Sequence, residues 1–60
     1  MDKLTLLTKC VRKAIIAANS CCPKAVCDAL ESILNEIDEG LAFEITVSDV
    51  EEAIAEYEKE

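Results

Sequence analysis

"AANSCCPKAV", Ala17 to Val26, is the stretch on which the reading of this chain turns. Asn19 and Ser20 are turn and capping residues, and Pro23 has the fixed φ that suits the first turn of a helix. A proline pushes the residue before it out of the helical region, which makes Cys22 an N-cap. The stretch therefore predicts a break between one helix that ends near Ala18 and a second that starts at Pro23. So short a connection implies a helical hairpin with antiparallel arms.

Upstream, Leu4, Leu7, Val11, Ala14, Ile15 and Ala18 recur at helical spacing over Lys3 to Ala18. Leu6, Cys10 and Ala17 widen that stripe along one flank, to more than a single neighbour needs. Lys9, Arg12 and Lys13 share the opposite face with Thr5 and Ile16, and Ile16 has no place in the core of a monomer. Leu6, Cys10 and Ile16 are accordingly the residues expected at an oligomer interface. Downstream, Val26, Ala29, Leu30, Ile33, Leu34 and Ile37 stripe a second helix over Pro23 to Asp38, with Cys27 at its edge and Gly40 as the residue that stops it.

"LAFEITV", residues 41–47, alternates with a period of two and predicts a short extended segment, open to pairing across a dimer. In "TVSDVEEAI", Thr46 can cap a third helix with Asp49 three residues on, and Ile45 and Val50 suit a hydrophobic staple. Val47, Val50, Ala53, Ile54 and Tyr57 form its narrow apolar stripe, and Glu51, Glu52, Glu56 and Glu58 are solvated. The expected fold is a small all-α domain of three helices: the hairpin plus an acidic third helix that depends on tertiary support.

Composition bounds the rest. The chain has 60 residues, 52% apolar, with Phe43 and Tyr57 its only aromatics, so the core has to be aliphatic. A chain this short forms one domain of marginal stability, and its apolar surplus points to a homo-oligomer, a dimer before larger species. Net charge is −7, but the charge is segregated: residues 1–27 carry five cations against Asp2, and residues 28–60 carry twelve acids against Lys59. That balance sets nucleic acid and anionic membranes aside as general partners. No apolar run reaches membrane-spanning length, and Lys9, Arg12 and Lys13 interrupt the opening segment, so a cytoplasmic location is expected.

Four cysteines and no histidine raise metal ligation, but C-x10-C-C-x4-C lacks the two converging pairs of a thiolate site. No metal, cofactor or catalytic residue is expected. A nucleophilic thiol at Cys21 or Cys22 beside Lys24 would lack a histidine base. The preferred reading makes Cys10 and Cys27 small apolar packers and places Cys21 and Cys22 in a tight corner between helices.

The expected function is that of a small acidic interaction protein, not an enzyme. It would regulate or inhibit another protein by covering a basic surface, with Glu51, Glu52, Glu56 and Phe43 as contact residues. By analogy of size and charge alone, the expectation extends to a phage-type inhibitor of a host nucleic-acid-handling enzyme. Two alternatives are a thiol- or metal-responsive sensor built on the cysteine cluster and a nucleic-acid-binding regulator using the basic face of the first helix.

Overall fold

A computed structural model describes residues 2–19 and 22–59. Four helices lie among them: α1 (Lys3–Ala18), α2 (Pro23–Ile37), α3 (Glu39–Phe43) and α4 (Val47–Lys59). The small all-α domain expected from periodicity is what the chain forms, with a single extra turn, α3, between its second and third long helices.

Local chemistry sets the helix ends. Asp2 is the N-cap of α1 and accepts from the Thr5 amide at 2.8 Å. At the other end Asn19 takes the left-handed conformation, φ 51°, and its amide donates to the Ile15 carbonyl at 2.8 Å. Asn is one of the few residues other than Gly that tolerates this conformation. Cys22 is the extended N-cap of α2 and Pro23 follows at its start, as the sequence requires. Ser20 and Cys21, expected in the turn and the inter-helix corner, lie outside the described residues.

Residues 38–46 depart from expectation. Asp38 ends α2 by donating its amide to the Leu34 carbonyl, and it also caps α3, its carboxylate accepting from the Gly40 amide at 3.0 Å. Gly40 is therefore inside α3 rather than a left-handed stop for α2, and it does not have a positive φ. The expected extended segment is also corrected: Leu41 and Phe43 belong to α3, and only Glu44, in a turn, Ile45 and Thr46 lie between α3 and α4. An isolated strand leaves its backbone unpaired, whereas one helical turn satisfies it locally, and Asp38 supplies the cap. α4 starts as expected, with Thr46 and Asp49 each accepting the other's amide at 3.2 Å.

The core holds Leu7, Cys10, Val11 and Ala14 of α1, Val26, Leu30 and Leu34 of α2, Ala42 of α3, and Val50 and Ala53 of α4. α1 packs against both α2 and α4. Lys3, at the start of α1, reaches Asp49 near the start of α4, and Arg12, later in α1, lies over Tyr57 later in α4. The two helices therefore run parallel, nearly in register. Ala14 of α1 and Ala53 of α4 are both fully buried.

Candidate interaction surfaces

Helix ends decide which apolar residues stay uncovered. The last residue of the α2 stripe, Ile37, is 57% exposed, and the first of the α4 stripe, Val47, is 50% exposed. Both were expected in the core. Each lies at the terminus of its helix, where the stripe runs past the neighbours meant to cover it. Phe43, on the turn between them, is 89% exposed and does not cap the core. All three belong to the end of the bundle where α1 begins, because the Lys3 ammonium donates to the Glu44 carbonyl at 3.3 Å. Leu4, one residue after Lys3, is also exposed there.

The same end is acidic. Asp38, Glu39 and Glu44 are exposed within the segment that carries Ile37, Phe43 and Val47. Glu51, Glu52 and Glu56, expected to act with Phe43, do not form one face. At about 100° per residue, Glu52 and Glu56 share one edge of α4 while Glu51 lies well round from them. Glu52 lines a shallow groove with Lys3, Leu4, Leu7 and Asp49. Glu56 lines another with Leu4, Thr5, Thr8, Lys9 and Arg12, of about 270 Å³, and pairs with Lys59 at 3.9 Å. Both therefore border α1, and of the three only Glu51 stands clear of it.

The opposite charge is on α1. Lys9, Arg12, Lys13 and Ile16 are exposed on the face away from the core, with Ile16 76% exposed among the three cations. Arg12 is placed by Tyr57, its guanidinium carbon 5.3 Å from the ring centroid. Of the residues expected at an oligomer interface, Ile16 alone is fully on the surface. Cys10 is 3% exposed inside the chain's own core and offers no surface to a partner, a correction to that expectation, and Leu6 is half-buried against the same core. The wide arc of α1 suggests an outside neighbour, but Cys10 lies within the chain's own core.

The cysteines separate by environment. Burial pushes the Cys10 thiol up. Burial also raises Cys27, with Glu31 and Asp28 adding to the effect. Cys22 is exposed rather than a corner filler, and the backbone amides of Ala25 and Lys24 at the start of α2 hold its thiol below the usual range. Among the described residues no group of three or more Cys, Asp or Glu side chains is placed to share a cation, and no helix is long and apolar enough to cross a membrane.

The chain matches no protein-family model, no curated protein and no solved structure.

Proposed function

We propose that this protein is an interaction module that covers a basic surface on another protein and so regulates or inhibits it. One observation carries the reading: the only phenylalanine of the chain stands 89% exposed in a segment, residues 37–47, that also exposes Ile37, Val47, Asp38, Glu39 and Glu44. A solvent-facing aromatic with apolar neighbours and a charged rim has the form of a binding hot spot, an anchor that fills a pocket while the rim selects the partner by charge. The matching partner is a protein with an apolar pocket bordered by Lys and Arg. Self-association, expected from the apolar surplus, belongs to the same reading, because uncovered apolar ends favour protein neighbours over water.

The test is photo-crosslinking from a benzoylphenylalanine placed at position 43, with the same probe at Lys24 as the control. Crosslinks from position 43 are expected to fall on partner peptides rich in Lys and Arg, and to be lost when Glu39 and Glu44 are changed to Lys. Equal yields from both positions, or yields indifferent to that charge reversal, would remove the reading.

A further inference from the structure

We propose that copies of this chain dock head to tail, the basic face of α1 around Ile16 receiving the acidic Phe43 end of the next copy. The inference rests on the reading of the Phe43 end as a binding surface and names a first occupant for it, a second copy of the same chain.

The two surfaces complement each other in apolar character and in charge. One presents Ile16 among Lys9, Arg12 and Lys13; the other is the segment 37–47, which exposes Ile37, Phe43 and Val47 together with Asp38, Glu39 and Glu44. Each therefore supplies an apolar centre and charges of opposite sign, the arrangement that steers encounter and fixes orientation. Neither pairs well with itself. Two α1 faces would bring six cations together, and two Phe43 ends would bring at least six carboxylates together, so the contact has to be heterologous. Nor can one copy close on itself. Lys3 marks the Phe43 end, and Ile16 lies thirteen residues further along a rigid helix, about 20 Å away. The whole molecule measures 26 × 21 × 17 Å, so a separation of about 20 Å spans most of it.

Burying Phe43 in this way hides the anchor that the other partner would use. Self-docking and partner docking therefore compete for one end of the molecule. Dilution, or a partner that binds more tightly than the α1 face, releases monomers.

The experiment is sedimentation velocity from micromolar to millimolar protein, on the wild type, on Ile16→Asp, on Phe43→Asp and on an equimolar mixture of the two variants. Both positions are surface positions, and circular dichroism checks that both variants keep the fold. The wild type is expected to grow in average mass with concentration and to lose at least about tenfold in affinity at 1 M salt, where the Debye length falls to about 3 Å. Each variant alone should remain a 6.6 kDa monomer. Ile16→Asp keeps a good Phe43 end and Phe43→Asp keeps a good α1 face, so the mixture should form heterodimers and nothing larger. A wild type that stays monomeric, a single variant that assembles like the wild type, or a mixture that stays monomeric overturns the proposal. Ile16→Asp also separates the two readings. It lacks the self-contact but retains Phe43, so charge-dependent crosslinking from position 43 in this background scores partner docking independently.

Discussion

The Lys3 ammonium lies 3.5 Å from the Asp49 carboxylate, so the first residue of α1 is tied to the first turn of α4. The same ammonium donates to the Glu44 carbonyl, and Asp49 accepts the Thr46 amide, so one cation organises the whole entry to α4. Across the bundle Arg12 over Tyr57 repeats the α1–α4 connection. These contacts align two helices whose dipoles run parallel and therefore repel, which makes the charges at their N-termini important.

Acid should weaken the fold through two aspartates. The Thr5 amide is the main cause that holds the Asp2 carboxyl low, and the Thr46 amide is the main cause for Asp49, with Lys3 adding to the latter. A carboxyl depressed in the folded state contributes stability that is present above its unfolded value, about 3.9. That stability is lost as pH falls through the lowered folded value. Asp2→Asn with Asp49→Asn keeps oxygen acceptors at both caps and removes the charge. Urea unfolding from pH 7 to pH 2 should show a shallower acid loss than in the wild type; an identical acid limb would mean that these caps do not carry the pH dependence.

The α4 cap predicts a plain stability loss. Thr46→Ala removes the oxygen that accepts the Asp49 amide and should cost about 1 kcal/mol by urea unfolding. A loss too small to measure would mean that the start of α4 is held without the Thr46 hydroxyl, by the Lys3–Asp49 pair and the remaining contacts.

Gly40→Ala should do the opposite. Gly40 is helical without a positive φ, and an added Cβ would meet only the Asp38 Oδ1 atom, at 3.4 Å, an ordinary van der Waals contact. Lower chain entropy in the unfolded state then predicts a gain of roughly 0.4–1 kcal/mol. A clear loss would indicate that residue 40 needs the left-handed conformation after all.

The core has little to spare. Leu30 is fully buried, and Leu30→Ala should cost about 2–5 kcal/mol, comparable to the roughly 3–9 kcal/mol that a chain of this length holds in total. Phe43→Ala, by contrast, should stay within about 0.5 kcal/mol of the wild type, because the ring is on the surface. The ratio of the two unfolding midpoints separates an anchor held for a partner from a side chain held for the fold.

The thiols should react in order of exposure. Among Cys10, Cys22 and Cys27, Cys22 is expected to alkylate first at neutral pH, because helix-start amides favour its thiolate, and Cys10 last, because burial opposes it. Peptide mapping after timed iodoacetamide treatment reads the order directly. Equal rates at Cys22 and Cys10 would mean that the core opens faster than either thiol reacts.

The sequence by itself determined the long helices, since α1 and the start of α2 fall where apolar period, Asn19, Cys22 and Pro23 place them. Thr46 with Asp49 likewise marked the start of α4. Hydrogen bonds four residues apart and caps three residues apart are local, so neighbouring residues are enough to encode them. Asp2 as a cap is equally legible, one residue before the first helix. Only the tertiary structure decided that 39–43 is a helical turn, that α1 and α4 run parallel, and that Cys10 is covered from within. It also decided that Ile37, Phe43 and Val47 stay in water. Periodicity tells which side of a helix is apolar, but where a neighbouring helix stops short, and so which end of that stripe remains uncovered, depends on how the helices are stacked.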